Sequence, residues 1–103
     1  MIKVSVLYPY IDGAKFDMDY YLSQHIPMVQ DLLGAALKGT LVEHGVAGGT
    51  PDAPPTYVAM GHLLFDSAAA FNEAFGPHVE QIMGDIPNYT PIQPAIQISE
   101  VKL

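Results

Sequence analysis

The chain has 103 residues, 50% of them hydrophobic and only 15% charged, and its 11 acidic side chains face four lysines and no arginine, for a formal charge of −7 at pH 7. That balance excludes nucleic-acid binding, which needs cations to displace counterions from phosphates, and it disfavours anionic membrane surfaces for the same reason. Cysteine is absent, which removes disulfides, thiolate nucleophiles and cysteine-based zinc sites, and the length fits one domain over residues 1–103.

Ile2, Val4, Val6 and Tyr8 alternate with Lys3 and Ser5, the period of a strand with one buried face, and Pro9 with Asp12-Gly13 closes it. This segment lacks the continuous apolar stretch of a secretion signal, and no apolar run approaches the roughly 18–20 residues of a membrane span. A soluble, cytoplasmic protein is expected. From Asp17 the period changes. Met18, Leu22, His25, Val29 and Leu32 recur at steps of three and four, the stripe of an amphipathic helix with Asp17 as N-cap and Gly34 as stop. Pro27 lies inside that stripe, lacks a backbone donor and would clash with the carbonyl of Ser23, so the helix is expected to kink or restart at His25–Pro27.

Residues 38–46 read as a second strand weakened by glycines, and Gly48 to Pro55 as a loop. Tyr57 to Phe65 is the strongest strand of the chain. Both of its alternating sets are largely apolar, as in a sheet covered on both faces. Asp66-Ser67 caps a second helix that carries Phe71, Ala74, Phe75, His78 and Ile82 on one side, with a break at Gly76-Pro77. Asp85 to Pro91 is a loop, and residues 95–103 form a last strand in which Ile96 and Ile98 alternate with Gln97 and Ser99. The order βαββαβ with right-handed crossovers puts both helices on one face of a four-stranded antiparallel sheet, a ferredoxin-like α+β fold. The other face is left bare, and its simplest cover is the same face of a second copy, so a homodimer is expected.

The stretch Phe16 to Pro27, with its Tyr20-Tyr21 pair ahead of His25-Ile26-Pro27, resembles the first helix of EthD-domain proteins. Gly45 to Gly49, Phe65-Asp66-Ser67 and Asp85-Ile86-Pro87-Asn88-Tyr89-Thr90 are similar to that family in the same order, so the resemblance runs over nearly the whole chain. It implies a dimeric α+β barrel, made when two ferredoxin-like sheets pack face to face. The family takes its name from a component of a bacterial ethyl tert-butyl ether degradation system built around a cytochrome P450, and its members are loosely grouped with oxidoreductases. Related barrels include monooxygenases of aromatic polyketides, haem-binding degradases and muconolactone-type isomerases, so the fold alone does not choose a reaction.

His25 is the first candidate for chemistry. It follows Tyr21 by one turn on the apolar stripe, which turns its imidazole toward the sheet, where it can act as a general base or hydrogen-bond a substrate oxygen. The alternative is a core histidine bonded to a backbone carbonyl, holding the kink at Pro27. The resemblance adds weight to the catalytic reading by placing His25 in the motif. Tyr21 and Tyr89 are candidates to orient a substrate oxygen, and Asp85 and Tyr89 lie in a loop of the kind where binding residues gather, although Asp85 also suits a turn cap. His62 can share a cavity with His25 if its side of the strand lies under the helices; otherwise it is a satisfied core or interface residue. His44 and His78 have no partner at a telling spacing.

No compact set of metal ligands, phosphate loop or dinucleotide fingerprint occurs, and haem propionates would find no arginine, so neither metal nor cofactor is expected. Met18, Met28, Met60 and Met83, with Phe71 and Phe75, suit an adaptable apolar pocket. Two functions fit. One is a cofactor-free enzyme of monooxygenase, isomerase or dehydratase type that acts on a small apolar or aromatic molecule in catabolism or secondary metabolism, with His25 as acid/base. The other is a non-catalytic protein that binds a hydrophobic metabolite for a partner oxygenase.

Overall fold

The alternating segments become four strands, β1 (Ile2–Pro9), β2 (Gly39–His44), β3 (Tyr57–Phe65) and β4 (Ala95–Glu100), in one antiparallel sheet of order β2-β3-β1-β4. The computed structural model describes all 103 residues. Both edge strands are shorter than the sequence predicts, because an edge has a single neighbour to pair with. Past Glu100 the last bond available is from the Val101 N–H to the Met1 carbonyl, at 3.0 Å. Pro9 ends β1 from within, at a register shift after Tyr8, since proline cannot donate to the ladder.

Asp17 caps α1 (Met18–Tyr20) by accepting the Tyr20 N–H at 3.1 Å. The next turn, Tyr21–His25, is wound as a π-helix in which the Ile26 N–H reaches the Tyr21 carbonyl, and α2 (Ile26–Leu33) follows with Pro27 in its first turn. The expected break is therefore a wide turn. It places the proline where a missing N–H costs nothing, and wide turns of this kind are frequent at functional sites. Gly34 ends α2 at φ +57°, a left-handed conformation that side chains disfavour. Ser67 caps α3 (Ala68–Phe75) by accepting the Ala70 N–H at 3.1 Å, and a tight turn at Gly76–His78 leads into α4 (Val79–Gly84). No helix is long and apolar enough to cross a membrane.

Register decides which residues share a face. Val4, Val6 and Tyr8 of β1 pair with Leu63, Gly61 and Ala59 of β3 beneath the helices, and Ile98 and Ile96 of β4 continue those rows. The core beneath the helices falls into two halves, one around Val4, Leu63, Phe65 and Phe71, the other around Tyr8, Tyr21, Ile86 and Tyr89. Complete burial of Phe65 alone contributes about 2–3 kcal/mol. The opposite face of the sheet carries Leu7, Leu41, Met60 and Leu64 around Ser5 and His62, and this chain lays no helix on it.

Candidate functional site

A cavity of about 190 Å³ separates the sheet from the helices, with Val4, Val6 and Leu63 in its floor and Ile26, Phe71 and Ile82 in its roof. Ile96 and Ile98, about half exposed on the edge strand, stand at its mouth. Apart from backbone, its polar lining is confined to His25 and the hydroxyls of Tyr8 and Tyr21.

Each of these side chains is held by a local reason. The π turn sets His25 on the sheet-facing side beyond Tyr21, and the two rings stack 5.5 Å apart. Tyr21 reaches across to β3, where its hydroxyl lies against Gly61; a Cβ at residue 61 would collide with it. The loop after α4 is stitched to the start of the helical layer: the Asp17 N–H donates to the Tyr89 carbonyl at 2.9 Å, and Thr90 Oγ1 donates to the Lys15 carbonyl at 2.6 Å. That stitching delivers Asp85 to His25, with Oδ2 at 2.9 Å from Nδ1. The other carboxylate oxygen accepts the Tyr20 hydroxyl at 2.7 Å and Asn88 Nδ2 at 2.8 Å. Tyr89 packs its ring 4.8 Å from that of His25 and shares a 2.6 Å hydroxyl bond with Tyr8.

The free nitrogen of His25 matters most. Every fully enclosed side-chain nitrogen and oxygen in the protein has a partner, and Nε2 has none, so Nε2 meets the open space that its ring lines. Burial lowers the pKa of His25 below the usual 6.5, and the hydrogen bond and charge of Asp85 only partly reverse the shift. For Asp85 itself burial works upward, but hydrogen bonds from Asn88, His25 and Tyr20 outweigh it and hold the carboxyl below its usual range. At pH 7 the pair is thus a neutral imidazole beside a carboxylate. A carboxylate can only accept, so Nδ1 carries the proton and the Nε2 lone pair faces the cavity. Burial also pushes the hydroxyls of Tyr8, Tyr21 and Tyr89 far above the ordinary tyrosine range, which keeps them protonated as donors.

The structure therefore brings together His25, Tyr21, Asp85 and Tyr89. It does not bring His62 to them. Residues 59, 61, 63 and 65 point under the helices, so His62 lies on the opposite face of β3, with Nδ1 2.9 Å from Ser5 Oγ and Nε2 2.9 Å from Glu43 Oε1. Asp85 does take an Asn88 bond three residues on, as a turn cap would, while its second oxygen serves His25. Sequence reasoning missed Tyr8, Tyr20 and Asn88. Tyr8 was marked by its place in the alternating set of β1, and Tyr20 by its adjacency to Tyr21, which sends the two rings in different directions. Nowhere do three histidine, aspartate or glutamate side chains converge as a metal ion would require.

A family model described as the EthD domain matches residues 11–91 of the chain. The chain is similar to the uncharacterized 11.0 kDa protein of the thcB-thcC intergenic region of Rhodococcus erythropolis, with 29% identity over 91 residues, 86% of this chain and 84% of the relative. Among solved structures it is similar to an EthD-like protein from Ralstonia eutropha, 50% identical with a TM-score of 0.95 over 99% of this chain and 92% of that one. A Bacillus halodurans protein of the ethyl tert-butyl ether D (EthD) family shares the fold at 16% identity, with a TM-score of 0.69 over 99% of both chains.

Proposed function

The chain belongs to the EthD domain family, and from that premise we propose that it acts as a cytoplasmic homodimer on a small apolar or aromatic molecule in a catabolic or secondary-metabolic route, with His25 as the general base of a cofactor-free reaction. The observation that carries this reading is the ring of His25, which lines a mostly apolar cavity with Nε2 unbonded while Nδ1 is tethered to Asp85. A cavity of about 150 Å³ accommodates benzene, so about 190 Å³ suits a single ring or a compact branched chain.

The geometry supports a role for each residue. Asp85 is a positioning residue: it fixes the tautomer of His25 and offsets the positive charge that grows on the ring as a proton arrives. Tyr20 and Asn88 keep that carboxylate aimed and ionised. Tyr21 offers a protonated hydroxyl beside the base, and the apolar walls exclude water from the exchange. The open sheet face, with Leu41 58% exposed among half-buried Leu7, Met60 and Leu64, is the surface we assign to the second copy.

A carrier function would use the same cavity without needing the free nitrogen. Titrating phenol and toluene into the protein while following the ring nitrogens of His25 by NMR separates the two. The proposal expects both molecules to perturb the methyl groups of Ile96 and Ile98, and phenol alone to shift Nε2 strongly, by donating to it. Equal effects of the two on Nε2 favour a carrier, and no effect of either on the methyl groups rejects the cavity as a binding site.

A further inference from the structure

We propose that the cavity selects an uncharged carbonyl compound of single-ring size and ionises the C–H bond next to its carbonyl, with His25 Nε2 taking the proton and the Tyr21 hydroxyl holding the enolate oxygen; the inference rests on His25 acting as a base.

Charge decides the first half. The chain has no arginine, and none of Lys3, Lys15, Lys38 and Lys102 lines the cavity. The one ionised group beside the site is the Asp85 carboxylate, directly behind the imidazole. An anionic substrate would give up its hydration among apolar side chains, gain no cation in exchange and feel the negative charge of Asp85 through the ring. An uncharged molecule bears none of these costs.

The pairing of polar groups decides the second half. The cavity presents one basic lone pair, on His25 Nε2, and on the same helical turn a buried hydroxyl that is hard to ionise, on Tyr21. Every fully enclosed polar side-chain atom elsewhere is already satisfied, and Tyr8 bonds both Tyr89 and Tyr21, so the Tyr21 hydroxyl serves a ligand oxygen by turning its O–H from Tyr8 into the cavity, while His25 Nε2 is unbonded. A carbonyl with a neighbouring C–H offers the complementary set, a proton for the acceptor and an oxygen for the donor. In the step, the C–H bond breaks and its proton forms an N–H bond at Nε2. The released electron pair becomes the new carbon–carbon double bond, and the carbonyl π pair moves onto oxygen. The imidazolium so formed is stabilised by Asp85, and returning the proton to the same or a conjugated carbon regenerates the carbonyl compound or its isomer. No oxidant, reductant or cofactor is consumed. A base weakened by burial removes only an activated proton, one next to a ring or a second carbonyl as well as the first.

Gly61 has a part in this selectivity. Because a Cβ there would occupy the position of the Tyr21 hydroxyl, the glycine is what allows the donor to reach the cavity floor.

Phenylacetone and its para-carboxylate make a matched pair of probes, in deuterium oxide, with the loss of the activated protons followed by proton NMR. Wild-type protein is expected to accelerate exchange in phenylacetone and to leave the carboxylate at its solution rate. Exchange is expected to fall on the order of 100-fold in His25→Ala and roughly tenfold in Tyr21→Phe. Phenylacetone that binds, by displacement of the Ile96 and Ile98 methyl signals, yet exchanges no faster than in free solution overturns the inference while leaving the cavity as a binding site. Equal exchange of the two probes overturns the charge selection. Binding of neither overturns the inference together with the reading it rests on. The comparison of the two probes is made on wild-type protein and stands even if a variant fails to fold.

Discussion

Two histidines in this protein sit in nearly the same local chemistry and come to different ends. His25 and His62 are both buried, and each has a ring nitrogen 2.9 Å from a carboxylate oxygen. His62 spends its second nitrogen on Ser5 Oγ, so both of its ring nitrogens are engaged; His25 keeps its second nitrogen unbonded and lines an apolar space. The carboxylates differ as well, since Asp85 gathers three donors and is mostly buried, whereas the Glu43 side chain is 55% exposed. A histidine–carboxylate pair is therefore not in itself a site. What distinguishes one is the unspent nitrogen, the apolar space that its ring lines and the well-anchored carboxylate that fixes its tautomer.

The sharpest way to break the comparison is to remove each ring. His25→Ala is expected to lower proton exchange on the order of 100-fold while costing about 1 kcal/mol or less, because Asp85 keeps Tyr20 and Asn88 as partners. His62→Ala is expected to leave exchange unchanged and to cost about 1–3 kcal/mol in urea unfolding, since it strands the buried Ser5 hydroxyl. The opposite pattern would exchange the roles of the two histidines. Gly61→Ala acts next: its Cβ displaces the Tyr21 hydroxyl, with an expected stability loss of about 1–3 kcal/mol and loss of ligand binding, read by thermal melts with and without phenylacetone.

Acidification should act through His25 before Asp85. The folded pKa of His25 lies below 6.5, so as pH falls from that value the unfolded chain takes up a proton that the folded chain resists, and stability declines until His25 is protonated in both states. Asp85, held below 3.8, adds a second decline only as pH falls past that value. Melting temperature against pH should therefore bend near 6.5 in wild-type protein, and that bend should shrink in His25→Ala. The smallest effect belongs to Glu43→Gln, at most about 1 kcal/mol because the exposed carboxylate is screened by solvent, with no change in ligand binding.

Most of the fold is legible in the sequence because it rests on local rules. The alternation of Ile2 to Tyr8, the stripe from Met18 and the breaks at Pro27 and Gly76-Pro77 each reflect a backbone constraint that a short window contains. The site is legible only in part. The meeting of His25 and Asp85 joins residues 60 apart, and no spacing rule reports it; the family resemblance puts both in motifs, but the stitching of Asp17 and Lys15 to Tyr89 and Thr90 creates the contact. The face of His62 was hidden for another reason. Both alternating sets of β3 are apolar, so hydrophobic parity could not say which one lies under the helices, and the register with Val4 and Tyr8 is what assigns it.

The central claim is that His25 is a neutral base with its lone pair in the cavity, and nitrogen NMR of the two imidazoles tests it most directly. At pH 7 the ring of His25 should show a protonated Nδ1 and an unprotonated Nε2, and phenylacetone should shift Nε2 of His25 while leaving both nitrogens of His62 in place. A protonated Nε2 on His25 at that pH, as the other tautomer or as a full imidazolium, or a ligand response at His62 in its place, would contradict the account.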